Sequence, residues 1–146
     1  MFGKKFDIRS MTTYTFKRAE RLKSRKIIGK LFREGKSFGQ YPLRLVWTTI
    51  EPPLSSYPVQ FTASVPKRAF SKAVHRNRIK RLIKESWRLN KWLLYEKLEG
   101  GEQQFGFMLI YTAKEPLPFE KIEKAMQQII LRFNDKIQHF QQDANP

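Results

Sequence analysis

Hydrophobic positions recur along this chain with two periods, and the switches between them mark out its elements. Ile27/Leu31 and Ile28/Phe32 are i,i+4 pairs forming one apolar stripe, so the stretch after Ser24 predicts a helix. Ser24 is placed to cap its start and Gly35 to end it. Leu43–Ile50 is rich in β-branched and aromatic residues and predicts a strand. Prolines at 52, 53 and 58 make the next stretch a loop. Val59, Phe61, Ala63 and Val65 then alternate with Gln60, Thr62 and Ser64, the period of a half-buried strand. Ser71 is the expected N-cap of a long helix reaching about Lys97, since no proline or glycine interrupts the chain until Gly100. Phe105–Tyr111 is an apolar run suited to a central strand. Pro116 and Pro118 precede a last helix striped by Ile122, Met126, Ile129, Phe133 and Ile137. Its Met and Phe read as core, and the helix is expected to fray after Phe140. The order helix–strand–strand–helix–strand–helix predicts one α+β domain over 14–140, its sheet packed by helices. A flexible basic arm over 1–13 and a flexible tail over 141–146 are expected to flank it, with Met11 offering a second start.

Composition changes this picture through charge. The 146 residues carry a formal net charge of +16 and no cysteine, which excludes a disulfide framework or a thiolate metal site. No apolar run approaches the length of a bilayer span, and the first residues lack the apolar core of a signal peptide. A cytoplasmic protein is expected. The excess charge is concentrated: Lys4–Lys36 and Lys67–Lys91 each hold +9, and the rest of the chain is slightly acidic. If the fold sets these two segments side by side, they form one cationic surface suited to a polyanion.

The densest part is the long helix. With Arg76 at zero on a helical wheel, Arg76, Asn77, Lys80, Arg81, Lys84 and Arg88 fall in an arc of roughly 140°. Ile79, Leu82, Ile83, Leu89 and Leu93 are assigned to the opposite side. Glu85 is the one acid between Lys67 and Lys91. A solvated helix face normally mixes signs, because like charges at i,i+4 repel. Arg78, at the edge of the arc, is expected to have a partly structural role near Glu85. The histidines are His75, expected to pack or cap, and His139, in the fraying end. No acid/base pair, carboxylate cluster, phosphate loop or zinc spacing is visible. The residues describe a binder, with no catalytic or metal-ligating set of their own.

Arg76-Asn77-Arg78-Ile79-Lys80-Arg81, preceded by Lys67-Arg68 and Ala73-Val74, resembles the signature of the bacterial ribonuclease P protein subunit. Arg21-Leu22-Lys23 and Phe32-Arg33-Glu34-Gly35 stand upstream as in that family, and the resemblance runs from Phe16 to Phe140. It implies a fold like the second domain of ribosomal protein S5, with a left-handed strand–helix–strand crossover against the roughly 98% right-handed preference. It also implies two partners: a catalytic RNA that uses Mg²⁺, held mainly by that RNA, and precursor tRNA, whose 5′ leader is removed. One protein per particle is expected, with no membrane. By the same analogy Arg76, Asn77, Arg78, Lys80, Arg81 and Lys84 hold the catalytic RNA, and Lys67 and Arg68 touch phosphates near the mouth of a leader cleft. Ile28, Phe32 and a strand residue, Val46 or Trp47, floor that cleft. Ile28 replaces an aromatic of the family pattern, so base stacking is expected to be weaker there.

Three rivals have distinct signatures. A ribosomal or ribosome-assembly protein would not rescue precursor-tRNA cutting by a bacterial catalytic RNA at low Mg²⁺. A protein nuclease would cut RNA alone and lose activity in His75→Ala. A duplex-DNA reader would favour DNA over RNA at fixed salt. Charge crowding generates one prediction. Sulfate should raise the melting temperature of the free protein by binding the native state preferentially, and a temperature unmoved by sulfate counts against it.

Overall fold

The computed structural model describes residues 16–144, with side chains to 138. The expected arm over 1–13, Met11, the His139 side chain and the last two tail residues lie outside the described residues. A short 3-10 turn, Arg18–Glu20, leads into α1 (Arg25–Glu34), β1 (Lys36–Gln40), β2 (Leu43–Ile50) and β3 (Val59–Ser64). There follow α2 (Ala73–Asn90), α3 (Trp92–Leu98), β4 (Gln104–Tyr111) and α4 (Phe119–Ala144). The sheet order is β1-β2-β4-β3, with β3 and β4 parallel and the other neighbours antiparallel. The fold is the expected α+β domain, with one strand more and the long helix in two pieces.

Each difference has a local cause. β1 (Lys36-Ser37-Phe38-Gly39-Gln40) escapes a pattern search because Phe38 is its one buried residue; the hairpin to β2 supplies its partners. The helix expected to reach Lys97 pauses at Lys91, where that side chain lies buried against Glu20. At its start the cap is Lys72, with no side-chain bond, not Ser71. The Arg76 guanidinium takes over the tethering, donating to Phe70 O and Ser71 O at 2.8 Å each. Ser24 does cap α1, its Oγ accepting from Ile27 N at 3.3 Å. The backbone of α4 stays helical to Ala144, past the expected fraying point at Phe140.

The two faces of the sheet differ. One is covered by α2, α3 and α4, where Leu45, Trp47, Phe61, Phe105, Phe107 and Leu109 meet the whole predicted α4 stripe, all of it buried. Trp87 of α2 lies fully buried there, stacked on Phe61 at 4.9 Å and 7°. The other face carries a smaller cluster in which Ile27 and Leu31 of α1 meet Leu22, Ile50 and Met108. Gly106 lets α1 approach, since a Cβ there would sit 3.2 Å from Ile27 Cγ2. Gly35 is tighter still: a Cβ would lie 2.4 Å from Leu31 O and 2.7 Å from Val46 Cγ1.

The N-terminal segment is held by a buried polar knot. Glu20 Oε1 accepts from Lys91 Nζ at 2.5 Å and from Tyr95 OH at 2.7 Å, while Glu20 Oε2 accepts from Lys17 N at 2.7 Å. Glu20 and Lys91 are 0% and 2% exposed as side chains. Burial lowers the Lys91 pKa, opposed by the carboxylate. Burial and then that same charge push the Tyr95 phenol well above its usual value, so it remains a donor. Removing one partner leaves the other ion uncompensated. Lys91→Met and Glu20→Gln should each cost about 3–5 kcal/mol, read as a lower urea midpoint. A loss below about 1 kcal/mol in both would mean the pair contributes no more than a surface bridge.

Candidate nucleic-acid interface

Two cationic segments, separate in sequence, meet at the β3 edge. Leu22 N donates to Phe61 O at 2.9 Å and Arg21 forms an isolated parallel bridge with Phe61, which lays the N-terminal segment along that edge. Arg21 thereby comes near Lys84 of α2. Partial burial, then the charges of Arg21 and Lys80, lower the Lys84 pKa. Burial is the larger cause, and the two neighbouring cations add to it; a phosphate would relieve that second part.

Of the predicted RNA-contacting residues on α2, Asn77, Arg78, Arg81 and Lys84 are exposed, while Arg76 and Lys80 are half-buried at the margin. Several sequence expectations change here. Arg78 has no structural tie to Glu85, whose carboxylate instead takes Arg88 at 2.5 Å; Arg78 is free to face solvent. His75 is exposed in the first turn, neither packed nor capping. Leu93 lies in α3 and is exposed, and Trp87, which the sequence pattern left unassigned, fills the core. Ile79, Ile83, Ser86, Trp87 and Asn90 form the buried side. Among the described residues the ion pairs are Arg88–Glu85 and Lys91–Glu20, so the cations on the outer side of α2 stand unneutralised.

The second surface is the open part of the sheet beside α1. Pairing sets Ser37, Val46, Met108 and Thr62 in one row across the strands, and Gly39, Arg44, Ile110 and Ser64 in the next. Val46, Ile110, Thr62 and Ser64 are half-buried and Arg44 is exposed. Ile28 and Val46 edge the apolar cluster, while Phe32 stands 74% exposed at the end of α1. Trp47 does not belong here. It is 7% exposed on the opposite face, with its ring edge-on to Phe105 and Phe133. A strand turns alternate side chains to opposite faces, so Val46 and Trp47 cannot share a cleft. The same rule points to Arg44, two residues from Val46 and overlooked in the sequence; its guanidinium donates to Ser37 Oγ at 3.1 Å.

Lys67 and Arg68 are exposed just past β3. With Ile110, Thr112 and Lys114 they line a groove of about 1000 Å³ that continues the open sheet face through Ile110. Among the described residues no group of three or more His, Asp or Glu side chains converges as a metal ligand set. No helix among them is long and apolar enough to cross a membrane.

The family model described as Ribonuclease P matches residues 16–134, which takes in both surfaces. The chain belongs to the ribonuclease P protein family. A ribonuclease P protein component of Porphyromonas gingivalis is 38% identical over 124 residues, covering 84% of this chain and 89% of that one. One of Borreliella burgdorferi is 34% identical over 118 residues, covering 80% and 91%. Among solved structures, the RNase P protein of Thermotoga maritima superposes with a TM-score of 0.60 at 23% identity, over 77% of this chain and 96% of that one. That of Staphylococcus aureus gives 0.59 at 19%, over 78% and 94%. The family sets the chain in the context of a tRNA-processing ribonucleoprotein and an RNA subunit.

Arg81→Glu/Lys84→Glu changes exposed side chains only, so the thermal unfolding curve should hold. Binding to a ribonuclease P RNA should weaken, and the slope of log K against log salt should shrink by about 1.4–1.8. Arg76→Ala should lower both the unfolding midpoint and RNA affinity, because that side chain also holds two carbonyls. Equal effects of all three substitutions on fold and binding would dissolve the distinction.

Proposed function

We propose that the chain is the protein subunit of ribonuclease P, assisting removal of the 5′ leader from precursor tRNA by a catalytic RNA. The outer side of α2 holds the catalytic RNA through Asn77, Arg78, Arg81 and Lys84, with Arg76 and Lys80 at its margin. The leader runs over the open sheet face, stacking on Phe32 and passing Ile28, Val46 and Ile110, with Arg44, Lys67 and Arg68 placed for its phosphates. Mg²⁺ in such a particle is held mainly by RNA, where it supplies the charge stabilisation that phosphodiester cleavage needs.

The observation that carries this reading is Phe32, a large aromatic left 74% exposed above a half-apolar floor while the stripe mates Ile27 and Leu31 are buried. An exposed ring together with exposed cations on one protein is the combination single-stranded RNA uses, bases on the π face and phosphates on the charges. The energetic need is plain. Two large RNAs repel, and a compact cation between them releases counterions from both.

Reconstitution with a bacterial catalytic RNA tests the assignment: adding the protein should lower the Mg²⁺ needed for cleavage. Phe32→Ala should weaken precursor tRNA by about fivefold or more relative to mature tRNA, while binding to the catalytic RNA holds. A protein that leaves ribozyme turnover unchanged is the ribosomal or assembly-factor alternative. One that cuts RNA unaided is a nuclease.

A further inference from the structure

Among the described residues two aromatic side chains are exposed, Phe32 and Tyr41. The reading above uses the first and leaves the second, 68% exposed in the turn between β1 and β2, without a purpose. Tyr41 does not stand alone. It lines a groove of about 490 Å³ between that turn and the first turns of α4, together with Lys121, Lys124, Gln40 and Gln128. Pro42, Leu117 and Ala125 complete the lining, and no carboxylate belongs to it. Lys121, Lys124 and Gln128 are exposed. Lys121 and Lys124 are one turn apart, and Gln128 follows Lys124 by another turn, so all three lie along one side of α4.

The same side continues with more positive charge. Arg132 Nη1 donates to Gly39 O at 2.7 Å and to Gln40 Oε1 at 3.2 Å, and its guanidinium stands 4.3 Å from the centre of the Phe38 ring. Lys136 Nζ lies 5.2 Å from that ring centre. These contacts fix the hairpin against α4 and keep the groove open beside Tyr41. The nearest acids on α4 are Glu120 and Glu123, neither in the lining, and Asp135, two turns beyond Gln128. Glu123 is occupied by Asn90 Nδ2 at 3.1 Å. The patch was invisible in the charge profile because these lysines alternate along the chain with Glu120, one turn before Lys124, and Glu123.

The geometry points to a second nucleotide-binding site, in which Tyr41 stacks one base of single-stranded RNA while Lys121 and Lys124 hold its flanking phosphates. The volume lies within the range of small-ligand sites, about 300–1,000 Å³, and accommodates one base with its sugar rather than a duplex. Gln40 and Gln128 border it as amides able to meet a base edge. The site is independent of the leader cleft. Tyr41 lies at the same end of β2 as Arg44 and Ile110 of the leader path, so the two sites are separated by the face of the sheet. α4 lies on the Trp47 face of the sheet. A protein with such a site grips RNA at both edges of its sheet, α2 at one and the hairpin at the other.

The test uses the full chain carrying Phe32→Ala with Arg81→Glu/Lys84→Glu, so that the leader cleft and the α2 surface are both weakened. The probe is a fluorescein-labelled octamer of uridylate containing one 4-thiouridine. Crosslinking followed by mass spectrometry should yield a product on the peptide that contains Tyr41. Tyr41→Ala should weaken octamer binding about fivefold or more with the salt slope unchanged, and Tyr41→Phe should restore it. Lys121→Gln/Lys124→Gln should instead reduce the salt slope by about 1.4. All these side chains are exposed, and matching thermal unfolding curves confirm that the variants stay folded. The assignment is overturned by the absence of any crosslink in 40–42 or 121–128, or by a neutral Tyr41→Ala. A Lys121/Lys124 effect with no Tyr41 effect means a bulk electrostatic patch. Competition by uridine monophosphate as strong as by the octamer means a free-nucleotide pocket. Any of these results leaves the Phe32 discrimination between precursor and mature tRNA standing, so the two readings fail separately.

Discussion

The burial of Trp87 sets the geometry on which the nucleic-acid surface depends. Its ring lies flat on Phe61 and against Phe107, with Tyr95 edge-on nearby. An indole of that size, once seated, fixes the rotation of α2 about its own axis, because any other roll would leave a large void or expose the ring. Every cation on α2 takes its direction from that roll. Arg81 and Lys84 are exposed, Lys84 with part of its side chain covered, whereas Arg76 and Lys80 are drawn to the margin where helix meets protein. The core therefore decides which members of a basic run face a partner and which brace the loop before the helix.

A surface this positive destabilises its own fold, and the structure shows where the repulsion is offset. The sheet is the rigid plate, with β4 buried on both sides between its neighbours β2 and β3. The Glu20 knot then pins the cationic N-terminal segment beside α2 with one buried carboxylate serving an ammonium, a phenol and an amide. A buried ion pair adds little net stability over an apolar contact of the same shape. Here it specifies position: Arg21 is held close enough to Lys84 for their charges to be felt. Like charges are kept together by a frame that does not yield, and a polyanion gains from that preorganisation on arrival.

Much of this was legible in the chain itself. The strand at Leu43–Ile50 and the stripe from Ile122 to Ile137 need only local periodicity, and both appear as expected. So does the Ser24 cap, which is a contact three residues long. The ordered motif around Arg76–Arg81 carried the family, and the charge profile carried the class of partner. Errors gathered where a residue's fate depends on something distant. Trp87 lies roughly 20° from Arg76 on an ideal wheel, and nothing local says that Phe61 and Phe107 wait there. Trp47 was joined to Val46 by proximity in sequence, although alternation alone separates them.

The sequence by itself determined that a single basic α+β domain forms and that its charge lies in two blocks, because propensity, periodicity and composition are properties of neighbouring residues. Only the tertiary structure decided that the blocks touch, that Phe32 stays out while Leu31 goes in, and that Tyr41 meets lysines eighty residues away. Those outcomes rest on which surfaces the packed core covers, a quantity that no stretch of chain contains until the rest has folded against it.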